Sequence, residues 1–393
     1  MKKTLVALAA LAATGAFAQS TVSIQGIMDA NVQSGKAYGQ SYSLIGQSGA
    51  RTTSVRFHGT EDMGKGLKAN FRFEVQPSVI AGDGNGFNNA ISGAAGVAGA
   101  LGSVSANGTA NAAGQASAQS GLVGKGYSFV GVSGGFGEVQ FGTINTASLA
   151  AYLNGSGALG TGVGSAYGVV MGSTGTNTFT RFENSVAYMT PSFNGFSARF
   201  QTVLGNDSQY GATTGVTLRR SGMQEVGLSY AAGPLTANFA QLEVKTSPNE
   251  STTATTNVTT KTTTASVGYN MGVARLGAAV SNISNNSSTP TETSSYLLTA
   301  SVPMGASRLM LSVGERKTDA STVSALVGKK TTFTGVGAEH DLSKRTFVYA
   351  RYQTGKAGDL SAANVVVNGV AQSAGQLSNT NFNLFAVGVS HAF

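Results

Sequence analysis

The 393-residue chain has no cysteine, no tryptophan and only six prolines, and its charged residues amount to 11%. A typical soluble protein carries about 25%. Without cysteine there is neither a disulfide framework nor a thiolate metal site, so packing and backbone hydrogen bonds must offset the entropy of ordering. Beyond the first twenty residues no run of about 18 apolar residues occurs, which excludes a transmembrane helix there. The net charge of +8 is spread thinly, with no dense basic cluster, so nucleic acid is not an expected partner.

What the chain does contain is glycine, 54 residues of it, roughly twice the usual share. Hydrophobic residues reach 41% and mean hydropathy is +0.04. Polarity comes from Ser, Thr, Asn, Gln and Gly, which favour strands and turns over helices. Nineteen Phe and twelve Tyr spread along the chain argue against disorder.

The start reads as an export signal. Lys2 and Lys3 form a positive n-region, Thr4 to Thr14 an apolar h-region, and Ala16-Phe17-Ala18 a small-residue cleavage site before Gln19. Cleavage between Ala18 and Gln19 leaves residues 19–393 as one domain.

Period-two alternation then takes over. In 67–76, Leu67, Ala69, Phe71, Phe73 and Val75 share one face and Lys68, Asn70, Arg72, Glu74 and Gln76 the other. A strand of about ten such residues can cross a bilayer with its apolar face to lipid and its polar face to a wet interior. We read sixteen strands, near 21–33, 51–60, 67–80, 124–133, 138–144, 181–190, 196–204, 223–231, 235–246, 261–270, 273–283, 293–303, 307–317, 331–341, 345–355 and 381–393. Their connections alternate short and long, as in an outer-membrane barrel and not in a soluble sandwich. The low-complexity stretches 88–126 and 246–264 read as loops of that barrel. At the end, Phe385, Val387, Val389 and Phe393 share one parity, with His391 among them, as in a strand that closes the barrel.

Chemical motifs are weak. Gly131-Val132-Ser133-Gly134-Gly135 fits a nucleophile elbow but sits at a strand-to-strand turn. Gly155, Gly157 and Gly160 fit a dinucleotide fingerprint without a βαβ unit around it. His58, His340 and His391 have no metal-ligand spacing. No catalytic residue, metal or cofactor is expected.

Six blocks carry a resemblance: TVSIQGIMDANV, VRFHGTEDMGKGLKANFRFE, YSFVGVSGGFGEVQFG, ENSVAYMTPSFNGFSARF, DLSKRTFVYARYQ and VGVSHAF. In content and order they resemble the Gram-negative general porins of the β-proteobacterial type. The resemblance implies an all-β, sixteen-stranded antiparallel outer-membrane barrel, assembled as a homotrimer, with a third extracellular loop folded inward to narrow a water-filled pore. It also implies contact with outer-membrane lipid and lipopolysaccharide, recognition of the last strand by an assembly machinery, and passive diffusion of ions and small hydrophilic solutes. A substrate-specific channel or a structural, adhesive barrel are the other readings.

Parity assigns the pore lining. With Val55 and Phe57 toward lipid, Arg56 and His58 point inward, and the same rule places Lys68, Arg72, Lys125, Arg181, Arg199, Arg308, Arg316 and Arg351 inside. Related anion-selective members keep arginines where this chain has Ser54 and Thr143, and a basic wall residue at Gln140. The expected constriction loop, 145–180, contains no Asp, Glu, Lys or Arg. Basic walls with few opposing acids imply a mild, salt-sensitive preference for anions; a nearly unselective pore with the loop flat on the wall is the alternative. For processing, the mass of the mature chain should correspond to a start at Gln19; a mass retaining residues 1–18 would refute the cleavage site.

Overall fold

The computed structural model describes residues 21–37, 40–77, 126–170, 180–204, 219–247, 258–286, 291–321, 324, 327–358, 366–367, 370–371 and 381–393. The expected signal segment with Ala18 and Gln19, most of both low-complexity stretches, and Lys125 lie outside the described residues.

Strand β1 (Thr21–Ala37) opens the barrel. Both β2 (Gln40–Gln47) and β3 (Ser54–Gly64) pair with it antiparallel, β2 along residues 30–37 and β3 along residues 21–27. They form one stave interrupted at 48–53. There follow β4 (Leu67–Val75), β5 (Ser128–Gly134), β6 (Gly137–Asn145), β7 (Arg181–Met189), β8 (Phe196–Val203), β9 (Arg219–Ala232) and β10 (Leu235–Ser247). Next come β11 (Val258–Asn270), β12 (Arg275–Asn285), β13 (Thr291–Met304), β14 (Ser307–Ser321), β15 (Lys330–Asp341) and β16 (Thr346–Ala357). A two-residue hairpin, β17 (Val366–Val367) and β18 (Val370–Ala371), forms a separate sheet. Strand β19 (Asn381–Ala392) pairs with β16 on one side and β1 on the other.

From β3 to β16 each strand pairs antiparallel with the next, so the sheet closes. With β2 and β3 as one stave there are sixteen, the expected number. Closure leaves no edge, the condition for a sheet to stand in hydrocarbon. One end carries tight turns such as Lys65–Gly66, Gly135–Phe136 and Gly305–Ala306, and the other carries the long connections.

The sequence reading missed β2. Residues 40–47, QSYSLIGQ, do not alternate cleanly, because this end of the stave lies toward the long loops and need not show lipid an apolar face. Elsewhere the outward parity is apolar and exposed, as at Val22, Ile24, Phe71, Val130, Phe141, Phe200, Leu228, Leu298, Leu311, Val336 and Val387.

Closure ends at the C-terminus. The Phe393 amide donates to the Gly26 carbonyl and the Gly26 amide to the Phe393 carbonyl, both at 3.0 Å. The Phe393 ring covers Gly26 so tightly that a Cβ there would lie 2.1 Å from Cζ. Leucine at position 26 must displace the ring, at about 1–3 kcal/mol for bulk forced into filled space. Gly26→Leu should therefore melt at a lower temperature than wild type in semi-native electrophoresis; equal melting would show that closure is independent of this contact.

Candidate functional site

The long connection after β6 turns into the barrel and builds structure there. Thr146 caps helix α1 (Ala147–Ser156), its Oγ1 accepting from the Leu149 amide at 3.0 Å. A 3₁₀ turn follows at Gly157–Leu159, then a short helix α2 (Tyr167–Val170). The sequence reading gave this stretch no helix. Its Ala and Leu residues are good helix formers, but glycines at 155, 157 and 160 interrupt the pattern.

The loop lies against the inner wall. Helix α1 packs on β9 to β13, and the chain then passes over β14 to β16. Leu149, Tyr152, Val163, Ala166, Tyr167, Val169 and Val170 meet inward-facing Ala279, Leu297, Phe333, Phe382, Leu384 and Ala386 in a buried cluster. The interior is therefore not polar throughout: where the loop covers the wall, the inward parity becomes apolar. Burial pushes the Tyr167 phenol up to about 12 and that of Tyr152 higher still, so neither adds charge to the lumen.

Glycines allow backbone to touch backbone. A Cβ at Gly277 would lie 2.2 Å from the Gly155 carbonyl, and one at Gly335 2.0 Å from that of Gly164.

Charged and polar groups fix the loop at three points. At its start, Glu225 of β9 accepts from the Ala147 amide (2.6 Å), the Ser148 amide (2.9 Å) and the Ser148 hydroxyl (2.7 Å), placing a carboxylate at the positive end of α1. At the other end of α1, Arg275 donates to the Asn154 carbonyl at 3.0 Å. At the far end, Arg351 of β16 donates to Glu339 at 2.6 Å and to the Leu159 and Val163 carbonyls at 3.2 Å each.

The interruption between β2 and β3 joins the same lock. Asp29 is fully buried; its carboxylate accepts from the Gly49, Ala50 and Arg51 amides and from the Tyr349 hydroxyl, at 2.7 to 3.2 Å. The 48–53 turn so held offers its Gly49 carbonyl to the Val163 amide at 2.8 Å. Asp29, Glu225 and Glu339 were missed in the sequence reading, which followed basic residues only, and Arg275 was missed although it is basic. Inward parity would have marked Glu225 and Glu339.

The wall left uncovered is basic. Arg56 of β3 and Arg72 of β4 share Glu74, at 3.5 and 2.5 Å. The guanidinium of Arg72 lies over the Tyr127 ring, 4.9 Å from its centroid. Tyr127 donates to Gln140 at 2.5 Å, and Gln140 donates to Glu138 at 3.0 Å. Arg181 donates to the Asn145 side chain at 2.9 Å and lies in the field of Glu74 and Arg72. Arg199 donates to the Asn145 carbonyl and to Gln201, within the fields of Tyr127, Glu225 and Glu138. Asn145 is the residue before the α1 cap, so this wall and the loop share a level.

Arg56, Arg72, Arg181 and Arg199 are thus brought together. His58 and exposed Lys68 lie nearer the tight turns, and half-exposed Arg308 pairs with Glu339 at 3.2 Å. Arg316 and Arg351 face inward but are 2% and 1% exposed, removed from the lumen. Ser54 and Gln140 are also buried. Among the described residues, no group of His, Asp and Glu could hold a metal ion.

A closed sixteen-stave barrel with an inward loop and a charged wall defines a membrane channel. The family model for Gram-negative porins matches residues 4–360. The chain is 30% identical to outer membrane porin protein 32 of Delftia acidovorans over 405 residues, covering all of both proteins. Among solved structures it is similar to the anion-selective porin from Comamonas acidovorans, with a TM-score of 0.71 and 26% identity over 95% of this chain and 100% of that one. OmpT of Vibrio cholerae in its trimer form shares the fold, with a TM-score of 0.62 at 14% identity over 95% and 99% of the two chains. The chain belongs to the Gram-negative porin family: it is an outer-membrane channel for diffusion of small solutes.

Replacing one partner of a buried ion pair typically costs about 3–5 kcal/mol. Arg351→Met would take from Glu339 its buried partner, leaving it only half-exposed Arg308, and would remove a donor from the Leu159 and Val163 carbonyls. We expect a folded barrel with a lower melting temperature and larger open-channel current noise; quiet, wild-type single-channel traces would show that Arg351 does not hold the loop.

Proposed function

We propose that this porin passes small anions in preference to cations. One observation carries the reading: the Arg56 and Arg72 side chains are 29% and 27% exposed, while the Glu74 carboxylate between them is 7% exposed. The acid is drawn back and the guanidinia project, so the field in the lumen is positive. The inward loop, packed on other staves, carries no charge at all from 145 to 180. A narrow aqueous path between low-dielectric walls focuses that field, and salt screens it over about 10 Å at 0.1 M. The anion-selective porin from Comamonas acidovorans, similar over its whole length, supports the same sense of selectivity.

With Glu74 and Glu138 beside the arginines and no basic residue at 54, 140 or 143, the preference is mild. Arg56, Arg72, Arg181 and Arg199 form its centre, with His58, Lys68 and Arg308 in outer roles; by strand parity Lys125 adds to the same charge. The mature protein is a single domain, 19–393, freed by cleavage after Ala18. It works as a homotrimer among outer-membrane lipid and lipopolysaccharide, placed there by an assembly machinery that reads the final strand.

Reversal potentials across a planar bilayer under a KCl gradient test this. Chloride should be favoured over potassium, by a ratio that shrinks as salt rises, and Arg56→Ser with Arg72→Ser should bring the ratio near one. A cation preference in the wild type would overturn the reading.

A further inference from the structure

The uncovered part of the lumen is chemically lopsided. Inward-facing apolar residues elsewhere are sealed under the loop: Leu297, Phe333, Phe382 and Leu384 are at most 2% exposed. Others among the described residues are not sealed, Phe129, Tyr127 and Leu153 among them. Phe129, on the inward parity of β5 opposite Arg72, is only half-buried. So is Tyr127, whose ring is tilted against Phe129 with centroids 5.0 Å apart. On the loop, Leu153 is 38% exposed.

Leu153 has company. In α1 the residues turned from the wall are Ala150 and Leu153, at the three-residue spacing of one helix face, with half-buried Ala158 and Thr161 just beyond. Every group there is small or apolar, and none is charged. The passage therefore runs between guanidinia interleaved with aromatic rings on one side and an apolar ledge on the other.

We propose that the channel selects, among anions, organic carboxylates with an apolar body, aromatic monocarboxylates above all. The inference rests on the anion-preferring reading and gives it a substrate class. Arg56 and Arg72 attract the carboxylate, through bidentate hydrogen bonds that a spherical ion cannot use fully. The ring slides between Phe129 with Tyr127 and the Leu153 ledge, removing apolar surface from water on both sides.

Bi-ionic potentials with the purified full chain decide it, at a pH where both acids are ionised. Benzoate is compared with acetate, each permeability corrected for its mobility in free solution. Acetate is the smaller ion, so sieving alone favours it. We expect benzoate ahead by about threefold, an advantage within reach of partial burial of one ring face. Leu153→Asn should return the ratio to near one without altering chloride over potassium, and Phe129→Ser should do the same. If Phe129→Ser fails to assemble, Leu153→Asn, on an exposed helix face, carries the test alone. A wild-type ratio at or below one, with chloride still favoured over potassium, overturns the proposal and leaves anion preference standing. An unchanged ratio in Leu153→Asn also overturns it. Loss of chloride preference in the wild type instead refutes the reading on which it rests.

Discussion

The shape of the lumen depends on one buried guanidinium. Arg351 binds Glu339 through one nitrogen and loop carbonyls through another, with its positive charge balanced by the carboxylate. A charge withdrawn from water is tolerable only when paired and hydrogen-bonded. Here those partners belong to β15, to the inward loop and, through Gly49, to the interrupted stave at 48–53. One side chain so ties the wall to the segment that narrows it. Asp29 does the complementary work from β1, gathering the amides of that turn with a single carboxylate.

Around this lock the interior divides in two. The half under the loop is a small protein core, with buried aromatics, glycine contacts between backbones and a helix held at both ends by charges of the right sign. The other half remains a polar wall with arginines, a recessed glutamate and two aromatic rings. Porin function needs both: the first makes the constriction rigid and the second sets its field. Because the loop is uncharged, it contributes shape and an apolar surface, and the wall alone supplies the electrostatics.

The barrel was legible in the sequence because a transmembrane strand obeys a two-residue rule that lipid enforces residue by residue. Outward positions such as Phe71, Val130 and Val387 must be apolar, and tight turns such as Lys65–Gly66 punctuate them. Where lipid stops enforcing the rule it became unreadable, and β2 was missed for that reason. Parity puts Arg56, Arg72, Arg181 and Arg199 on the inner face of their strands, since inward facing is a local property. That Arg316 and Arg351 share the parity yet are buried was not readable, because burial depends on residues far away in sequence, as Leu159 and Val163 cover Arg351.

The sequence by itself therefore determined the class of fold, the stave count and the sign of charge on the inner wall through local alternation and composition, and the family through its six blocks of resemblance. Only the tertiary structure decided which inward residues are open. It placed a helix inside the barrel, assigned Glu225 and Arg275 to its ends, and left Phe129, Tyr127 and Leu153 uncovered. The reason is physical: facing is set by the backbone of one strand, whereas exposure is set by whatever else packs there, and packing is a long-range property.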